Sequence, residues 1–172
     1  MQRSVYRVRY NHSESTLGWI VIVTLSIILL FCIVWFFPNN DKANYKKYKS
    51  YESSIDNRLQ EIIGEANAYT AKYDANEISK GELISQFGNT SNKLEKLYKS
   101  FSFKKGDIVT KELYIIKKLI IIKYAQIYKD KAVALKSGIA SSEVEETQNI
   151  TLLTNDYNKK DKLQKQRFNI GF

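Results

Sequence analysis

Between residues 17 and 37 the chain reads LGWIVIVTLSIILLFCIVWFF, an apolar run without a single charged side chain. Wound as an α-helix at 1.5 Å per residue, such a run of about 21 residues rises roughly 31 Å, the thickness of a bilayer's hydrocarbon core. The run predicts one transmembrane helix. Leu17 and Trp19 would anchor it at one interface, and Trp35, Phe36 and Phe37 at the other, because aromatic rings favour the membrane–water boundary. A cleaved signal peptide has a shorter apolar region and small residues before the cut; here bulky rings stand in that place. Cys32 follows Phe31 rather than a small residue, so it reads as a small apolar member of the span and not as a lipidated cysteine. Pro38 is expected to end the helix, since proline interrupts a helix interior.

Arg3, Arg7 and Arg9 precede the span and Lys42, Lys46, Lys47 and Lys49 follow it, so positive charge alone barely orients it. A large domain follows the first hydrophobic segment, and long domains translocate largely regardless of charge. The expected arrangement is a single-pass signal anchor in the plasma (inner) membrane, with the N-terminus cytoplasmic and the domain extracytoplasmic.

Beyond the span, a single Pro and seven Gly in the whole chain argue against a turn-rich β fold. Apolar residues instead recur at spacings of three and four. Tyr45, Tyr48, Tyr51, Ile55, Leu59, Ile62, Ala66, Tyr69 and Tyr73 predict a helix over 43–74. Leu83, Phe87, Leu94, Leu97, Tyr98 and Phe101 predict another over about 80–101, opened by a capping box at Ser79 and Glu82. Asp107 is a good N-cap for a third helix that runs to Ser137, with Gly138 placed to close it. Ser142 opens a fourth, weaker helix with Val144, Ile150, Leu153 and Tyr157 as its stripe. The expected fold is all-α: one N-terminal transmembrane helix followed by an antiparallel bundle of three to four long amphipathic helices. Its parts are a basic tail over 1–16, the span over 17–37, a bundle domain over 43–158 and a basic, flexible tail over 159–172.

The third helix contains ELYIIKKLIIIKYAQIY, apolar enough to resemble a second span but interrupted by Lys117, Lys118 and Lys123. Each central lysine costs about 2.5–3.5 kcal/mol on insertion scales, so this segment belongs outside the bilayer. At 100° per residue, Val109, Leu113, Ile116, Ile120, Tyr124 and Ile127 share one stripe. Ile115, Leu119, Ile122 and Val133 share another on the opposite side, with Lys111, Lys118, Lys129 and Lys136 in a strip beside it. Lys117 and Lys123 flank the first stripe, where their stems can cover apolar surface while the ammonium groups stay wet. Two apolar stripes mean contact on two sides. Either the helix is central to its own bundle, or Ile115, Leu119 and Ile122 are a face for another chain.

No catalytic constellation or metal-ligand set is visible. The one His, His12, lies before the span and the one Cys, Cys32, within it, so neither nucleophilic Cys–His chemistry nor His-ligated metal is expected of the domain. No Gly-rich phosphate loop occurs, and no cofactor is expected. The net charge of +9, with Lys+Arg 27 against Asp+Glu 18, leaves basic clusters. Lys159, Lys160, Lys162, Lys165 and Arg167 are the candidate contacts to an anionic lipid or polymer surface. Nucleic acid is not an expected partner, because the tyrosines lie on helical stripes rather than on a stacking platform.

The layout of short basic tail, one span and long helices resembles that of bitopic assembly proteins. Coiled-coil subunits of division and secretion complexes and the inner-membrane member of phage lysis pairs are examples. It implies a non-enzymatic, membrane-anchored interaction or scaffold protein of a cell-envelope complex, whose partners are the bilayer and other subunits or a second copy. The alternative is an ectodomain that senses a ligand or binds anionic polymer or lipid through the basic clusters.

Overall fold

The computed structural model describes residues 12–138 and 143–170, with side chains described over 21–32, 39–138 and 145–170. Among the described residues there are four helices and no strand: α1 (His12–Asp74), α2 (Lys80–Ser100), α3 (Ile108–Ser137) and α4 (Glu143–Arg167). The chain divides into two compact units, Met1–Asp41 and Lys42–Phe172.

The all-α bundle expected from the periodicity is present, with differences at its ends. α1 does not stop at Pro38 but runs through it to Asp74. A proline's fixed φ is itself helical; its missing N–H and its clash with the carbonyl four residues back cost about 3 kcal/mol, which a long helix can bear. Residues 159–167 are not a separate flexible tail; they are the last turns of α4. Ser142, expected to open α4, lies outside the described residues.

In the first unit, the large apolar side chains between residues 21 and 31 are each at least half exposed, on every face of α1. The predicted anchors Leu17, Trp19, Trp35, Phe36 and Phe37 lie outside the described side chains. Among the described residues, no helix is long and apolar enough to cross a membrane.

In the second unit, the part of α1 from Lys42 onward packs with α2, α3 and α4 as an up-down-up-down bundle. Tyr51 donates to the Ser100 carbonyl at 3.1 Å, while Glu65 pairs with Lys93 further along, so α1 and α2 are antiparallel. Ser91 Oγ donates to the Ala125 carbonyl at 2.9 Å, and Tyr114 to the Phe101 carbonyl at 2.9 Å, so α2 and α3 are antiparallel too. Lys123 meets Glu146 and Lys160 meets Glu112, which sets α4 antiparallel to α3. Tyr45 packs on Phe168 and Tyr48 reaches Tyr157, closing the ring between α1 and α4.

The caps follow the residues expected to make them. Ser79 Oγ accepts from the Glu82 N–H while Glu82 accepts from the Ser79 N–H at 2.7 Å, a reciprocal capping box. Asp107 Oδ1 accepts from the Thr110 N–H at 2.9 Å at the head of α3. Gly138, at φ 73°, ends it in the left-handed region that glycine enters without a Cβ penalty.

The core is formed by the predicted stripes: Tyr45, Tyr48, Ile55, Leu59 and Ala66 from α1, Leu83, Phe87, Leu94 and Leu97 from α2, and Leu113, Ile116, Ile120 and Ile127 from α3. Tyr69, expected on the α1 stripe, is exposed instead. Phe168, from the segment expected to be free, is buried against Tyr45, their ring centroids 5.7 Å apart. α4 thus needs its basic end to complete the bundle.

Candidate docking surface

Two features of the bundle can carry function, and their chemistry separates them. The first is a polar cluster inside the ring of helices. Glu52 and Asp56 stand one turn apart on α1, and Glu52 falls in register with the apolar Tyr48 and Ile55, so its carboxylate is carried inward. Lys117 on α3 answers it, with Nζ 3.1 Å from Glu52 Oε1 and 2.8 Å from Asp56 Oδ1. The expectation that Lys117 keeps its ammonium wet is therefore corrected: the side chain is 12 % exposed. It points inward because two carboxylates wait there.

Lys49 pairs with Glu52 and lies 3.2 Å from Asp161 Oδ1, and Lys165 holds Asp161 Oδ2 at 3.0 Å. Tyr45 donates to Asp161 at 2.8 Å, and the hydroxyls of Tyr48 and Tyr157 meet at 3.3 Å. The Lys117 ammonium also lies 4.9 Å from the centre of the Tyr157 ring, a cation–π contact.

Burial first, then the neighbouring negative charge, pushes the three tyrosines well above the ordinary phenol range. Desolvation would lift the Asp161 carboxyl, but Lys165, Tyr45 and Lys49 outweigh it and hold it below the usual carboxylate range. Three lysines face three carboxylates, and each charge is met by its opposite. Such a cluster ties helices together, and its tyrosines, kept neutral, are poor bases. Among the described residues no group of His, Cys, Asp and Glu could hold a metal ion.

The second feature is the outer side of α3. The core stripe of this helix is buried at Leu113, Ile116, Ile120 and Ile127, whereas its opposite side carries Ile108, Ile115, Leu119 and Val133 at 76, 53, 42 and 56 % exposure. Ile122, the third member of the expected face, is partly buried and packs against the core. At 100° per residue these five positions stay within a sector of about 60° over roughly 37 Å of helix. A groove of about 300 Å³ between α2 and α3 opens beside the far end, lined among others by Gly88, Asn92, Glu95, Lys129 and Val133.

The two edges of the stripe differ. On the α4 side Glu112 pairs with Lys160 at 2.8 Å and Lys123 with Glu146 at 2.9 Å, and Asp130 accepts from the Gln126 amide at 2.7 Å. On the α2 side stand Lys111, Lys118, Lys129 and Lys136, which make no ion pair among the described residues. Lys118 is held over aromatic rings, 4.1 Å from the centre of Tyr98 and 5.6 Å from that of Tyr114.

The basic cluster of α4 is arranged differently from an open anion site. Lys160 is taken by Glu112, Lys165 by Asp161 and Arg167 by Asp107, while Lys159 and Lys162 are exposed. Three of the five candidate contacts are thus engaged inside the molecule. Sequence reasoning missed those pairings and the exposed Ile108. The spacing of Ile108 seven residues before Ile115 was the available signal.

No protein-family model matches the chain, and no curated protein or solved structure is significantly similar to it.

Proposed function

We propose that this chain is a non-enzymatic, single-pass membrane-anchored interaction protein of a cell-envelope complex, docking other subunits through the outer face of α3. The observation that carries the reading is the pair of unlike sides on one helix. One side of α3 is consumed by the bundle, and the other leaves Ile108, Ile115, Leu119 and Val133 in solvent along its length. Covering the exposed part of each contributes on the order of 1 kcal/mol, enough together for a specific contact once charge adds selectivity.

The anchor is the charge-free run over 17–37, with the bundle extracytoplasmic. In its support, the apolar side chains between residues 21 and 31 are exposed on every face of α1. A helix apolar all round needs lipid or protein about it. The non-enzymatic reading is supported by the polar cluster, whose charges and hydroxyls satisfy one another. Docking through α3 is favoured over the α4 lysines because Lys160, Lys165 and Arg167 already have partners.

Cross-linking in intact cells with a C-terminal tag tests both parts. The tag should be reachable from outside, and Leu119→Lys should abolish cross-linked species while the far-ultraviolet circular dichroism of the purified variant stays helical. A tag reachable only after permeabilisation would reject the topology. Unchanged cross-links in Leu119→Lys would reject the face.

A further inference from the structure

The docking reading leaves the occupant open; the charges along the stripe narrow it. We infer that the α3 face receives an acidic amphipathic helix of a partner protein, laid along α3 so that its apolar seam covers Ile108, Ile115, Leu119 and Val133 and its carboxylates meet the lysine column. The inference rests on the docking reading. Lys111, Lys118, Lys129 and Lys136 recur at intervals of seven, eleven and seven, which at 100° per residue keeps them on one line parallel to the stripe.

Lys49, Lys93, Lys117, Lys123, Lys160 and Lys165 are each matched by a carboxylate, while other surface lysines such as Lys46, Lys96, Lys104 and Lys159 are not, so what sets the column apart is its alignment along the apolar seam. The column is matched by none among the described residues, and Lys118 is positioned by the Tyr98 ring rather than by an acid. A row of cations without carboxylate partners beside an apolar seam is complementary to a helix with one acidic edge.

The column itself argues against a second copy packed antiparallel. A second copy of the same face, docked antiparallel, would bring column against column, which like charge disfavours.

The test uses the full chain in detergent and two synthetic helical peptides with an identical leucine seam, one edged with Glu and the other with Lys. Binding is read by fluorescence anisotropy at low and high salt. The acidic peptide should bind roughly tenfold or more tightly than the basic one at low salt, as expected for several exposed charge pairs acting together, and the gap should shrink at high salt. Reversing Lys111, Lys118, Lys129 and Lys136 to Glu, all at positions outside the core, should invert the preference.

Equal binding of the two peptides overturns the acidic partner while leaving the docking face standing. Binding of neither peptide, with column-dependent binding to phosphatidylglycerol vesicles instead, overturns it in favour of a lipid surface. If Leu119→Lys alters neither peptide binding nor the cellular cross-links, the docking reading fails with it.

Discussion

Lys117 on α3 joins two carboxylates of α1 at once, 3.1 Å from Glu52 Oε1 and 2.8 Å from Asp56 Oδ1. The three groups are not equivalent. Glu52 is 3 % exposed and Asp56 40 %, so loss of the lysine falls mainly on Glu52, which keeps Lys49 as its remaining partner. Lys117→Met should therefore destabilise the bundle by less than the roughly 3–5 kcal/mol of a buried charge left wholly uncompensated. Adding Glu52→Gln to it should recover part of the loss. Urea unfolding of the two variants beside the parent chain checks this; a single variant no worse than the double would mean that Glu52 is relieved by Lys49 alone.

The pH dependence follows from the same cluster and from Asp107. Desolvation would raise the Asp107 carboxyl, but hydrogen bonds from Gln164 and Thr110 and the charge of Arg167 prevail, and its pKa is lowered. Asp161 is lowered too. A depressed carboxylate contributes stability that is present above its unfolded value, about 3.9, and lost as pH falls through the folded value. Desolvation would lower Lys117, but Asp56 and Glu52 raise it, and Tyr45, Tyr48 and Tyr157 are also raised. Their contribution is complete below the unfolded values, about 10, and is lost as pH rises beyond. The expected profile is flat from about pH 5 to 9 with both edges falling. Asp161→Asn should flatten the acid edge, and Tyr157→Phe the alkaline one.

Three positions in the connections between helices carry separate constraints. Gly106 sits at φ 107°, and a Cβ there would lie 2.9 Å from Thr110 Cβ and Cγ2. Gly106→Ala should cost about 1–3 kcal/mol from backbone strain plus that clash. Ser79→Ala, which removes half of an exposed capping box, should cost about 1 kcal/mol. Asp107→Ala should exceed it, because Asp107 also accepts from Gln164 at 2.7 Å and pairs with Arg167. Thermal midpoints of the three variants give the order directly.

Much of the bundle was legible because its signals are local. Ser79 with Glu82, Asp107 and Gly138 mark helix ends through bonds that span at most a turn, and the stripes of α2 and α3 follow a fixed period. What escaped depends on residues far apart in sequence. Nothing near Lys117 announces that Glu52 and Asp56 will face it, although Glu52 in register with Tyr48 and Ile55 was a visible oddity. Nor does the lysine-rich end of α4 show by itself that Asp107 and Glu112 will neutralise it. Composition suggested a free tail there, and long-range pairing made it part of the bundle. Pro38 misled for a different reason: its rule describes a cost, and a long helix can bear it.

That long-range role yields a prediction for the C-terminal segment. Removing residues 159–172 deletes the Asp161 acceptor of Tyr45, the Gln164 and Arg167 partners of Asp107, and the Phe168 ring packed on Tyr45. A dispensable tail would leave unfolding unchanged. Here the truncated chain should lose several kcal/mol and unfold with reduced cooperativity, since loss of a buried Phe alone costs about 3–5 kcal/mol. Phe168→Ala in the full-length chain should reproduce a large part of the effect, which separates packing from the lost charge.

The two sides of α3 provide the sharpest contrast, because Ile116 and Leu119 lie three residues apart on one helix. Ile116 is 7 % exposed and Leu119 42 %. Lysine at 116 would bring a charge into the core with no carboxylate placed for it, and should abolish cooperative folding. Lysine at 119 can extend its ammonium into water along the neighbouring surface. Its effect on stability should stay within about 0.5 kcal/mol, the usual range for surface changes. Urea titrations of Ile116→Lys and Leu119→Lys, run beside the association assay, therefore decide what the outer stripe is for. If Leu119→Lys is stable and fails to associate, the face exists for a partner. If it unfolds as readily as Ile116→Lys, Leu119 supports the bundle and the docking surface must be sought elsewhere.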